Sequence, residues 1–261
     1  MRYDILTGLS QGQLAEVAAR VTARIGDVVR TGGRPAAIGL FRSVALVAHL
    51  MHRNPVQEVA GATFGVSQST VSRRWDLLRP VIGDVLAEFV PDPREVAAGS
   101  SVLTDGTVCP TWDWKAIPDL YSAKAGYPGM NIQVAATLSG KIAAIGPEPV
   151  HGARHDAYAF EASGLKDLLA GIHAVGDLGY VGVDGIEVTP IKRQPGRDLD
   201  ESQTTFNTQF SKIRAANERA VAHLKTWRML SEEGGRYRPP ISKYQSMLRA
   251  VIGLIFFTAY E

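Results

Sequence analysis

The apolar positions of the chain change period near residue 100. Before that point they recur at helical spacing. In SQGQLAEVAARVTARI, residues Leu14, Val17, Ala18 and Val21 fall on one face, and Ser10 stands where an N-cap belongs. A turn is predicted at TGGRP, residues 31–35, followed by a second apolar helix through IGLFRSVALVAHLM. Next comes NPVQEVAGATFGVSQSTVSRRWDLLRP, in which Pro55 suits a first helical turn, Gly61 to Gly65 a break, and Ser67 the cap of a helix reaching about Leu78. Two short helices joined by a tight turn are the pattern of a helix-turn-helix, here over about residues 55–79. The second helix of such a unit enters the DNA major groove. That would present Gln68, Ser69, Ser72 and Arg73 to the bases, while Val66, Val71 and Trp75 pack inward and Arg74 and Arg79 meet phosphates.

After the linker-like PDPREVAAGSS the pattern turns to short runs of Val, Ile and Thr. SVLTDGTVC, NIQVAATL and KIAAIGPEPV read as successive strands, HDAYAFEASGLKDLLAG as a helix, IHAVGD as a buried strand and GIEVTPI as another. The Gly- and Pro-free stretch from Arg197 to Glu233 predicts a long helix, with Phe206, Phe210, Ile213, Ala220, Leu224 and Trp227 as its apolar stripe. The expected architecture is an all-helical region over residues 1–92 and an α/β domain over 93–261, a mixed sheet flanked by helices. The last run, AVIGLIFFTAYE, reads as a buried closing helix too short to cross a bilayer. The opening residues suggest neither signal peptide nor membrane anchor.

Composition narrows the chemistry. The only cysteine, Cys109, permits no internal disulfide and no cysteine-rich zinc cluster, which fits a reducing, cytoplasmic setting, and Cys109 itself reads as a small core residue. The net charge of +2 is unevenly spread: residues 1–100 carry 11 basic and 9 acidic side chains, residues 101–203 carry 8 and 13, and residues 204–261 carry 9 and 4. An acidic centre between basic flanks suits a cation site surrounded by a surface for a polyanion.

Two acids of the centre stand in unusual contexts. Asp105 lies in or at the end of a strand after Val102 and Leu103, and Asp177 directly follows Ile172, Ala174, Val175 and Gly176. An acid at the end of a buried strand is costly unless paired or metal-bound, and two brought together repel unless a divalent cation lies between them. Asp113, Glu148, Asp184 and Glu187 lack such contexts and read as surface acids. His151 and His155, four apart, lack a third zinc partner and are separated by a loop-like GAR.

The blocks TDGT, YSAKAGYPGMNIQVAAT, GARHDAYAFEASGL, GDLGY and NERAVAHLKTWRML, taken in order over about residues 101–230, resemble the signature blocks of DDE-superfamily transposases of the bacterial insertion-sequence and Harbinger-like kind. The resemblance implies an RNase H-like catalytic domain in which Asp105, Asp177 and Glu218, spaced by 72 and 41 residues, hold two divalent ions, Mg²⁺ or Mn²⁺. Two such ions about 4 Å apart can serve the attacking and leaving oxygens of a phosphodiester. His155 and Asp156 match a further block, with Asp156 suited to N-capping or to support of the site. Tyr121, Lys124, Asn131, Lys192, Arg193, Arg214, Arg219, Lys225 and Arg228 are candidates to neutralise phosphates. KRQPGRDLD, residues 192–200, reads as an exposed loop that could order on DNA. Arg214 could also bridge Glu218 as an i,i+4 pair worth roughly 0.2 to 0.5 kcal/mol.

The implied function is end-specific cleavage of double-stranded DNA and transfer of the freed 3′-hydroxyls to a target, by a homodimer or larger assembly at the bacterial nucleoid. Two alternatives stand beside it: a DNA-binding regulator that no longer cuts, and a metal-dependent nuclease without strand transfer.

Overall fold

A computed structural model describes residues 1–26 and 37–259. The predicted TGGRP turn lies outside the described residues. The chain divides into two compact units, Met1–Val90 with Lys225–Glu261, and Pro91–Leu224.

The first unit is helical: α1 (Tyr3–Thr7), α2 (Gln11–Ile25), α3 (Leu40–Arg53), α4 (Gln57–Phe64) and α5 (Gln68–Leu86). Ser10 caps α2 through a reciprocal pair, in which the Gln13 amide donates to Ser10 Oγ and the Ser10 amide donates to Gln13 Oε1. Leu14, Val17, Ala18 and Val21 are buried, as their spacing predicts. Pro55 lies just ahead of the Val56 N-cap of α4 rather than in its first turn.

The turn between α4 and α5 rests on three small residues. Gly65 ends α4 in the left-handed region at φ 69°, and Ser67 Oγ accepts the Thr70 amide to start α5. Gly61 lies within α4, not in the break, because the chain folds back over it: a Cβ there would sit 2.6 Å from the Val66 carbonyl oxygen. Gln68, Ser69 and Arg73 are exposed and Ser72 and Arg74 half-buried, while Val71 and Trp75 are buried and Val66 half-buried.

α5 does not stop near Leu78. It continues through Pro80 to Leu86, burying Leu78, Ile82 and Leu86. Packing overrides the lost N–H of the proline here. Arg79 is not a phosphate contact: it is only 7% exposed, its Nε donates to Ser246 Oγ at 2.8 Å, and its guanidinium lies 5.2 Å from the centre of the Trp75 ring.

The second unit opens with α6 (Pro93–Ala97), capped by Asp92, so the linker-like segment contains a helical turn. There follow β1 (Val102–Pro110), β2 (Tyr121–Ser122), β3 (Tyr127–Thr137), β4 (Ile142–Ile145), β5 (Val150–His151), α7 (Asp156–Ala162), α8 (Leu165–Leu168), β6 (Ala174–Gly176) and α9 (Glu201–Lys225). β1 runs antiparallel to β3 over its whole length and parallel to β6, and β2, β4 and β5 pair with β3. The sheet is therefore mixed, with helices beside it. The strand predicted at GIEVTPI reduces to a single bridge, Val175 to Val188. The helix predicted over residues 155–171 breaks at Gly164, which adopts φ 76°.

Alternation along β1 gives the sheet two apolar faces. Val102 packs with Ala135, Phe160, Leu165, Ala174 and Tyr180 on one. Leu103 packs with Val175, Phe210 and Ala216 on the other. The α9 stripe differs from the prediction: Phe210, Ala220 and Leu224 are buried, Phe206 and Ile213 are exposed, and Trp227 lies beyond the helix end.

The last helix, α10 (Tyr244–Ala259), belongs to the first unit and not to the α/β domain as the sequence suggested. It crosses α5 where both carry glycine: a Cβ on Gly83 would meet the Ala250 amide at 3.2 Å, and one on Gly253 would meet Leu86 Cβ at 2.7 Å. Among the described residues, no helix is long and apolar enough to cross a membrane.

Gly61→Ala should destabilise the helical unit by about 1–3 kcal/mol, because the backbone oxygen facing the new methyl group cannot rotate away. Urea unfolding followed by helical circular dichroism measures this, and an unchanged midpoint would refute it.

Candidate active site

The parallel register of β1 and β6 pairs Leu103 with Val175 and Thr104 with Gly176. The next residues are Asp105, within β1, and Asp177, just past the end of β6, so the two acids emerge side by side. Asp105 Oδ1 accepts the Gly106 amide at 2.8 Å. Asp177 caps the short turn Leu178–Tyr180 by accepting the Gly179 amide at 2.7 Å. Burial raises the pKa of the Asp105 carboxyl above its ordinary value, Asp177 raises it further, Arg214 opposes the shift and Asp156 adds to it.

Asp156 is thus a third acid of the cluster. It is the first residue of α7, and the cap itself is His155, whose Nδ1 accepts the Tyr158 amide. Asp156 is held by a one-way chain of buried donors. The Tyr180 hydroxyl donates to Gln133 Oε1 at 2.7 Å, Gln133 Nε2 to Asn131 Oδ1 at 2.9 Å, and Asn131 Nδ2 to Asp156 Oδ1 at 2.9 Å. Asn131 is therefore an internal residue, 3% exposed, and not the phosphate contact its block suggested. The chain fits because residue 106 is glycine: a Cβ there would lie 2.2 Å from Asp156 Oδ1 and 2.4 Å from Gln133 Nε2. Tyr180, fully buried beneath three acids, has its phenol pKa pushed well above the ordinary value, first by burial and then by Asp156, Asp105 and Asp177. Sequence reasoning missed Gln133 and Tyr180. The signal was present in NIQ, two amides at period two inside an otherwise apolar strand.

Two cations reach the cluster. Lys124 Nζ lies 3.1 Å from Asp156 Oδ2, and Arg214 Nη2 lies 3.8 Å from Asp177 Oδ2. Arg214 therefore turns to Asp177. Asp156 raises the pKa of the Lys124 ammonium, and Asp177 and Asp105 contribute. Glu218 is exposed on α9, and its neighbour Asn217 is buried with both amide atoms unpaired. Among the described residues, no three His, Cys, Asp or Glu side chains are gathered closely enough to hold a metal ion. The chemistry of the donors nevertheless suits a hard divalent cation: three carboxylates share one region, and two basic side chains are drawn to it.

Lys192 and Arg193 are exposed, with Arg193 paired to Asp198 within the 192–200 loop at 2.5 Å. Arg219 is exposed and reaches the Ser139 carbonyl oxygen at 3.5 Å. Tyr121 and Arg228 are exposed and Lys225 is half-buried. Glu187 accepts the Ala174 amide at 2.7 Å and so fastens the start of β6.

Residues 104–255 match the family model of the DDE superfamily endonucleases. The chain belongs to this family. The matched span of this DDE endonuclease family member contains Asp105, Asp156, Asp177 and Glu218. Its relatives include the transposase for insertion sequence element IS112 of Streptomyces albus G, 29% identical over 87% of this chain and 84% of that protein. The transposase for element IS702 of Microchaete diplosiphon is 27% identical over 66% of this chain and 65% of that protein. No solved structure matches.

Two outcomes follow for this DDE family chain. A carboxyl whose pKa is higher in the folded than in the unfolded state costs stability as pH rises from the unfolded value, about 3.9, through the folded one. Asp105→Asn removes that loss, so in chelator at neutral pH it should melt above the wild type, the two converging below about pH 4. Equal melting temperatures at neutral pH would sink the idea. Gly106→Ala should destabilise the chain by about 1–3 kcal/mol by displacing Asp156 and Gln133, read from the urea midpoint.

Proposed function

We propose that the chain is a DNA transposase of the insertion-sequence kind, with an RNase H-like catalytic domain and a helix-turn-helix formed by α4 and α5. The observation that carries this reading is the parallel register that seats Asp105, within β1, beside Asp177, just past the end of β6, inside the span matched by the DDE family. In this reading Asp105, Asp177 and Glu218 hold two divalent ions, Mg²⁺ or Mn²⁺. Bound there, such ions supply Lewis-acid stabilisation to the attacking and leaving oxygens of a phosphodiester.

The protein's own groups do the rest. Asp105 presents its carboxylate from within β1 and Asp177 from just past the end of β6. Glu218 completes the set from α9, next to the buried Asn217. Lys124, Lys192, Arg193, Arg214, Arg219 and Lys225 supply positive charge to the DNA backbone. Gln68, Ser69, Ser72 and Arg73 read base edges at the element ends, with Arg74 beside them on the phosphates. The reaction cleaves a phosphodiester at each end and directs the freed 3′-hydroxyl at target DNA. Pairing two ends requires at least a dimer, in the cytoplasm at the nucleoid.

Incubation with terminal-repeat DNA and Mg²⁺ or Mn²⁺ tests the reading, with cleaved ends and joined products as the expected outcome. Binding without either product would favour a regulator, and cleavage without joining would favour a nuclease. Asp105→Ala, Asp177→Ala and Glu218→Ala should each abolish cleavage while leaving DNA affinity within about threefold. Undiminished nicking by any one variant removes that residue from the set.

A further inference from the structure

Lys124 stands in an unusual position for a surface lysine. It lies in the tight turn between β2 and β3, where the Gly126 amide donates to the Ser122 carbonyl and the Ala125 amide to Ser122 Oγ. The turn fixes its backbone, and the four-carbon stem carries the ammonium to Asp156. The two partners are unequal. The Lys124 side chain is 76% exposed, whereas that of Asp156 is 12% exposed and locked from below by the Tyr180–Gln133–Asn131 chain. The acid is fixed and the base is free to leave.

The ammonium also lies in the field of Asp105 and Asp177, so one monovalent cation faces all three carboxylates. Exposed ion pairs are worth about 0–1 kcal/mol, which makes this one easily exchanged. A divalent ion entering the cluster would repel the ammonium and compete for the same oxygens.

We propose that Lys124 is a placeholder cation: with Arg214 already beside Asp177, it offsets part of the cluster's negative charge before a divalent ion arrives, releases Asp156 when that ion enters, and then turns its ammonium to a DNA phosphate. The proposal rests on the divalent-ion reading above and assigns Lys124 a role on both sides of ion entry. Divalent-ion binding thereby becomes linked to DNA grip, because the ion frees a phosphate-binding group.

The test uses the full chain, with Mn²⁺ binding followed by calorimetry at fixed ionic strength and Asp105→Asn as a site control. Lys124→Met, which keeps the stem and removes the charge, should bind Mn²⁺ roughly twofold to fivefold more tightly, the factor set by losing a competitor worth up to about one exposed pair. Lys124→Arg should stay within about twofold of wild type. DNA affinity gives the second readout. With non-catalytic Ca²⁺ saturating, Lys124→Met should lower the dependence of log affinity on log salt by about one unit, and in chelator it should leave the slope unchanged.

A lysine that only braces the turn would weaken Mn²⁺ binding or leave it unaltered when replaced, and either result overturns the placeholder role. So does an equal loss of salt slope with and without Ca²⁺. If wild type binds no Mn²⁺, or Asp105→Asn binds it as well as wild type does, the divalent-ion reading falls and the placeholder role with it.

Discussion

The second unit is organised around like charges that its own backbone forces together. Two parallel strands in fixed register deliver Asp105 and Asp177 side by side, and α7 adds Asp156. Repulsion among partly buried carboxylates cannot be relieved by shifting a strand, because a one-residue slip would also turn Leu103 and Val175 off their packed face. The relief comes instead from side chains: Arg214 beside Asp177, Lys124 beside Asp156, and donors that end on carboxylate oxygens. The unit therefore holds its acids together at a cost in stability.

The asymmetry of this arrangement has a physical logic. Asp156 is fixed by groups deep in the sheet, while its partner cation comes from a solvent-facing turn. Rigid acids and loosely held bases make a site whose geometry persists while its counter-charge can be exchanged. The amides of Asn131 and Gln133 tie the acid cluster to the apolar face beneath α7, so the strand that builds the core also orients the chemistry.

Much of this was legible in the sequence. The Ser10 and Ser67 caps, the buried positions of α2 and the acids after two apolar runs could be read directly, because capping and period are local properties. Tertiary packing decided the rest. α5 runs through Pro80 because its lower half is gripped by α10, and Arg79 is drawn inward by Ser246, a residue 167 positions away. The face that α9 buries depends on its sheet partners, so Phe206 and Ile213 could not be told from Phe210 by spacing alone. The exposure of Glu218 and the direction of Arg214 were hidden for the same reason.

The crossing of α5 and α10 at Gly83 and Gly253 also orders events in time. The α/β unit is one continuous segment, Pro91–Leu224, whereas the helical unit is split around it. During synthesis, at about 5–20 residues per second, the second unit is complete before α10 exists. α5, made earlier, must wait with its α10-facing side uncovered until α10 emerges and closes over it. The helical unit is thus finished after the α/β unit that interrupts it.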